Sequence, residues 1–181
     1  MKIRVQQAKA LGKTLEIKKN YLEYSLIPAY VFKILIASED ALFYEHFGFD
    51  FKAMIKAYKN NEKKGNKRIR GASTITQQLA KNIYLSPDKN YGRKILEGYY
   101  SFWMEVFLTK KRILELYINN IEWGEGIFGI DQASKYHFRK SIKTLSKYEI
   151  CLLIAIIPNP RKYTVHQKYI IKKAQKLLTV H

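Results

Sequence analysis

Apolar positions along the chain recur mostly at helical spacing. After Pro28, the residues Val31, Ile34, Leu35, Ala41 and Leu42 follow a three-to-four-residue rhythm, which predicts a helix entered at a proline. "FDFKAMIKAYKNN" predicts a second helix with Asp50 as its N-cap, and Gly48 is read as the C-cap of the first. "STITQQLAKNIYL" predicts a third, opened by Ser73 or Thr74 with Gln77 as the far half of a capping box, and closed by Pro87. "NYGRKILEGYYSFWMEVFL" reads as a longer helix, apolar on nearly every side from Tyr99 to Leu108; such a helix sits at the centre of a core or against lipid. "KKRILELYINN" follows, then "SKYEICLLIAII" with a Ser146/Glu149 capping box and a stop at Pro158, then an amphipathic "QKYIIKKAQKLL". Between these, "NNEKKGNKRIRG" breaks the rhythm with Gly65, Gly71 and a run of bases, so Lys59 to Arg70 is read as a mobile basic loop. "WGEGIFG" is a glycine-rich turn. Strand signals are few and no repeat is visible, so the fold class is mainly α.

Length and charge narrow the partners. A chain of 181 residues suffices for one domain, 1–181, with a real core, and 47% hydrophobic residues exclude a disordered tail. The 33 Lys and Arg against 15 Asp and Glu leave a net charge of +18, which calls for a polyanion: a nucleic acid, an anionic membrane face or a phosphorylated substrate. Cys151, the one cysteine, lies in "EICLLIAII" and reads as a buried apolar residue, with no disulfide framework and no cysteine metal site. No stretch reaches the ~18 apolar residues of a membrane span. "MKIRVQQAKALGK" is basic but no apolar run follows, so no signal peptide is visible. A protein of this kind working at a membrane is expected to lie on it, or to have an anchor absent from this sequence.

The polar residues are not scattered evenly. "ASEDALFYEHFGFD" carries Glu39, Asp40, Phe43, His46, Gly48 and Asp50 in a short span. A lone glutamate in a helix is usually a solvated side chain, and a histidine here is more often an orienting group than a base. "RGASTITQQLAKN" crowds Ser73, Thr74, Thr76, Gln77 and Gln78 around one helix start, where backbone N–H groups favour phosphate or sugar oxygens, and Lys81 follows one turn on. In "RKILE", Arg93 and Glu97 share a helix face, which is either an ordinary surface ion pair or an arginine held for a phosphate. Lys111, Glu115 and Asn119 share a face that reads as scaffolding.

In order, these segments resemble the family 51 glycosyltransferases, the peptidoglycan glycosyltransferases that occur alone or as a domain of class A penicillin-binding proteins. The first motif resembles "EDALFYEHFGFD"; the second, G-x-S-T-I-T-Q-Q-x-x-K-N, is met from Gly71 to Asn82 without a gap. The third is Arg93, Lys94 and Glu97, the fourth runs from Lys110 to Asn119, and a looser fifth resembles "LLIAIIPNPRKY". The resemblance implies a lysozyme-like large lobe and a smaller jaw lobe over about 50–72. It implies polymerisation of lipid II into β-1,4-linked glycan with loss of undecaprenyl pyrophosphate. It also implies a place on the outer face of the bacterial cytoplasmic membrane. By resemblance Glu39 is the general base and Glu97 the second catalytic carboxylate. Lys81, Arg93 and Lys89 would hold the pyrophosphate, while Ser73, Thr74, Gln77 and Gln78 would position donor oxygens; Asp40 takes a supporting role. A divalent cation (Mg or Mn) bridging the pyrophosphate at Glu97 is the one cofactor considered. The partners expected are lipid II, the growing glycan strand and an anionic membrane surface, with no nucleic acid. Two competing readings remain at this level. A muramidase-like hydrolase would also use one glutamate on such a fold. A basic nucleic-acid module would explain the charge and the 14 tyrosines, but not the ordered motifs.

Overall fold

The computed structural model describes residues 16–63, 72–85 and 91–179. Eight α-helices stand among them: α1 (Ala29–Glu39), α2 (Phe51–Lys63), α3 (Ile75–Tyr84), α4 (Tyr91–Phe107), α5 (Lys110–Asn120), α6 (Ile130–Phe138), α7 (Lys147–Ile156) and α8 (Lys168–Leu178). Three short strands, β1 (Lys18–Lys19), β2 (Glu122–Gly124) and β3 (Ile127–Phe128), form one small sheet in the order β1-β3-β2, with β1 parallel and β2 antiparallel to β3. The fold is mainly α, as the rhythm of apolar positions predicts.

The central helix is α7. Every residue from Ile150 to Ile156 is buried, which an all-apolar sequence permits only in the middle of a core. Ser146 and Glu149 form the predicted capping box at its start. Helix α8 packs on one side and α1 on the other, through Val31, Phe32, Ile34 and Leu35. Cys151 is buried here, and burial pushes its thiol up to about 11, so it behaves as an inert apolar residue.

Helix α4 is built the other way round. Its buried stripe is Glu97, Ser101, Met104 and Glu105, while Tyr99, Phe102, Trp103, Val106 and Phe107 are exposed. The helix is therefore not at the centre of the core: its aromatic face is exposed. The inward polar groups are satisfied: Glu105 accepts from Thr76 at 2.6 Å and from Lys110 at 2.9 Å, and Ser101 donates to the Glu97 carbonyl at 2.6 Å.

The predicted helix running through Ala41 and Leu42 ends at Glu39. Asp40 has left helical geometry, at φ −162°, because its carboxylate is drawn inward to other partners. Gly48 is accordingly not a helix C-cap. It holds a left-handed φ of +77° in the following loop, and a Cβ there would stand 3.2 Å from Glu105 Cγ. Asp50 is the N-cap of α2, accepting from the Ala53 N–H at 2.8 Å. Residues 59–63 of the expected basic loop are helical, being the end of α2; residues 64–71, with Lys64, Lys67 and Arg68, lie outside the described residues. Of the jaw expected over 50–72, the described residues are Asp50, α2 and residue 72, and no described side chain of α2 is buried. The face of α5 with Lys111, Glu115 and Asn119 is scaffolding as read. Asn119 clamps Leu22 through both its backbone N–H and C=O, Glu115 accepts from Tyr21, and Lys111 lies over the Tyr24 ring.

Candidate active site

The site forms where the end of α1 meets the start of α3. Thr74 is the N-cap of α3 and Gln77 completes the box, as the S-T-x-x-Q spacing predicts. Both residues are 2% exposed, and Thr74 Oγ1 also donates to the Gly48 carbonyl at 2.7 Å. Their side chains face the interior and hold the helix start in place. Asp40 adds a second lock. Its Oδ2 accepts from the Ile75 N–H at 2.9 Å, and its Oδ1 accepts from His46 Nε2 at 2.8 Å. Asp40 and His46 are thus supporting groups, one seated where helix dipole and free N–H groups favour an anion.

With the helix start fixed, Gln78 projects toward Glu39. Gln78 Nε2 donates to Glu39 Oε2 at 3.2 Å and to the Ser73 carbonyl at 3.4 Å. Tyr117, fully buried on α5, donates to Gln78 Oε1 at 2.9 Å. Burial, then the charges of Glu39 and Asp40, raise the Tyr117 pKa well above its ordinary value, so its proton stays. Glu39 Oε1 accepts from the Ser38 hydroxyl at 3.3 Å. Glu39 is half-buried and lines a cavity of about 310 Å³ between the α1 end, α2 and residues 72–74. That is the lower end of small-ligand sites.

Across Ser73 lies a cationic cluster. Glu97, 2% exposed, accepts from Lys94 and pairs with Arg93 at 3.7 Å. Lys94 also donates to Ser73 Oγ at 3.2 Å. Lys81 stands on the same face of α3 as Gln78. Burial lowers its pKa; Glu97 and Glu39 oppose that, and Arg93 and Lys94 add to it. Glu97 thus pairs with Lys94 and Arg93, and Lys81 stands within reach of the charges of Glu97 and Glu39. Lys173 on α8 is a further cation here. Burial lowers its pKa, the charge of Glu39 raises it, and its ammonium donates to the Ala155 carbonyl at 3.3 Å.

The structure therefore brings together Glu39, Ser73, Gln78, Lys81, Arg93 and Glu97. Lys89 lies outside the described residues. Sequence reasoning misses Lys94, Tyr117 and Lys173. Lys94 is legible, since it is the second letter of R-K-x-x-E. Lys173 carries no local signal, being one lysine among several on an amphipathic helix. Glu97, the carboxylate considered for a divalent cation bridging a diphosphate, is engaged by Lys94 and Arg93; an ion held mainly by phosphate oxygens needs only one or two carboxylates.

Residues 7–180 match the transglycosylase family. The biosynthetic peptidoglycan transglycosylase of Caulobacter vibrioides is 46% identical over 147 residues, which is 80% of this chain and 63% of the relative. The protein of that description from Haemophilus influenzae (strain Rd) is 46% identical over 161 residues, 88% of this chain and 65% of the relative. That of Nitrosospira multiformis is 38% identical over 180 residues, 98% of this chain and 78% of the relative. The chain thus spans just under two thirds of the first two. A family match over nearly the whole chain, with the motif residues gathered around Glu39, leaves one conclusion: the chain belongs to the transglycosylases, the family 51 peptidoglycan glycosyltransferases.

Proposed function

We propose that this protein polymerises lipid II into β-1,4-linked glycan with inversion, Glu39 taking the proton. The observation that carries the reading is the pairing of a half-buried carboxylate, one oxygen left for a ligand, with an adjacent cluster of Lys81, Arg93 and Lys94 around a single buried glutamate. The first serves an attacking alcohol and the second a departing diphosphate. Glu39 Oε1 accepts the proton of the acceptor 4-OH as that oxygen bonds to the donor C1. The C1–O bond to pyrophosphate breaks, and its electron pair leaves on the phosphate, which the cations stabilise. A sugar alcohol is far less acidic than a carboxylic acid, so proton transfer must accompany bond formation.

A hydrolase of the two-carboxylate kind needs the second carboxylate free to act on water or sugar. Glu97 is buried and held by Lys94 and Arg93, which favours transfer. Labelled lipid II in detergent separates the two: a polymerase yields glycan ladders, whereas release of soluble fragments from purified cell wall without ladders overturns the proposal. Lys81→Met is expected to lower kcat/KM about tenfold, the value of one charge-assisted hydrogen bond, because Arg93 and Lys94 still share the load. Steady-state kinetics on lipid II measures this; unaltered kinetics removes Lys81 from the site.

The same reading gives the outer face of α4 a partner. No helix among the described residues is long and apolar enough to cross a membrane. Yet Trp103 and Phe107 stack at 5.5 Å on the surface, and Phe47 meets Phe102 at 5.8 Å. Phe51, Ile55 and Tyr58 are likewise exposed, at helical spacing along α2. Exposed aromatics on a chain of net charge +18 suit the interface of an anionic leaflet, where the lipid-borne substrate resides, here on the outer face of the cytoplasmic membrane. Trp103→Ser with Phe107→Ser is expected to weaken binding to anionic liposomes about tenfold in co-sedimentation. Unchanged binding would remove this surface from the account.

A further inference from the structure

We propose that Tyr117 is a positioning residue for the reaction: its phenol fixes the carboxamide of Gln78, and through it the oxygen of Glu39 that takes the acceptor proton. The inference rests on the reading of Glu39 as the base.

The argument is one of donors and acceptors. Gln78 lies between three groups: Glu39 Oε2, the Ser73 carbonyl and the Tyr117 hydroxyl. The first two are acceptors with no proton to give, so the amide NH2 must face them. The amide oxygen then faces Tyr117, which has one proton and spends it there. Burial and the nearby carboxylates keep that proton in place. Tyr117 is itself immobile, being fully enclosed on α5. A glutamine side chain has three rotatable bonds and a half-buried amide that can turn over; the phenol removes that freedom.

Glu39 feels the consequence. Gln78 occupies Oε2 and leaves Oε1 as the oxygen with room for a substrate hydroxyl. Donation from the amide also favours the ionised carboxylate, the form a base needs. Without the phenol the amide turns and its donation to Glu39 becomes intermittent, while the other charged groups facing Glu39, Lys81 on α3 and Lys173 on α8, are untouched by the substitution.

Tyr117→Phe removes one oxygen and tests this in pH-dependent assays on labelled lipid II in detergent. The expected result is a kcat about tenfold lower with KM changed less than about twofold, and an acid limb of kcat/KM moved up by roughly half a pH unit. The sign follows from the base: a carboxylate harder to ionise needs a higher pH to act. A purely structural role would scale the profile down without moving the limb. Gln78→Met should move the limb at least as far, and Tyr117→Phe added to Gln78→Met should move it no further. A limb unmoved by Tyr117→Phe, or moved again in the Gln78→Met background, overturns the proposal. Should Tyr117→Phe not fold, Gln78→Met alone decides: an unmoved limb overturns it. Glu39→Gln, run beside these, keeps the two ideas apart. Turnover surviving in that variant sinks the base assignment itself, whereas a dead Glu39→Gln with an unmoved limb in Tyr117→Phe sinks only the positioning role.

Discussion

Glu39→Gln should lower the rate of glycan formation by about a thousandfold while leaving the fold intact. The substituted amide has the same size and still offers an oxygen to Gln78 Nε2, so the contact between α1 and α3 survives. What disappears is the capacity to accept a proton from the attacking alcohol. Donor affinity should change little, since the cations that hold the diphosphate stand across Ser73 and belong to α3 and α4. Single-turnover assays on lipid II, with melting curves as a control, measure both quantities. Ladders formed at the wild-type rate would show that the proton goes elsewhere.

Asp40→Ala should act on stability instead. Asp40 is 7% exposed, pairs with His46 and receives the first N–H of α3. Removing an acceptor that serves two buried donors costs about 3 kcal/mol. For a chain of this size that is a fall of roughly 10 °C in melting temperature. Asp40→Asn keeps an acceptor for Ile75 and should lose about 1 kcal/mol. Calorimetry distinguishes these from a catalytic role: an unchanged melting temperature with lost turnover would place Asp40 in the chemistry.

Much of this architecture is legible in the order of residues. The capping boxes at Thr74/Gln77 and Ser146/Glu149 announce two helix starts, because a hydroxyl and an amide or acid three residues apart satisfy each other's backbone donors. Helix α6 carries no such signal. It begins at Gly129, whose φ of +82° replaces a side-chain cap, and a Cβ there would stand 3.0 Å from the Asn20 carbonyl. The hairpin of β2 and β3 is hidden because strands of three and two residues are too short to show alternation. In the site, spacing reveals which residues share a helix face, as with Gln78 and Lys81. It does not reveal which helices meet. That Gln78 lies between Glu39 and Tyr117 is a property of packing, and so is the approach of Lys173 from the last helix. Motif resemblance points to Glu39; only geometry separates Thr74 and Gln77, buried and bound to each other as the cap of α3, from Gln78, bound to Glu39.

The inverted build of α4 turns one helix into a ruler. Glu97 looks inward while Tyr99 and Trp103 look out, so a single helix width, about 10 Å, separates the ion cluster from whatever the rings rest in. If that medium is hydrocarbon, a diphosphate tethered to an isoprenoid tail meets its cations at head-group height. The catalyst would then work by standing at the right altitude, with no need to lift its substrate from the leaflet.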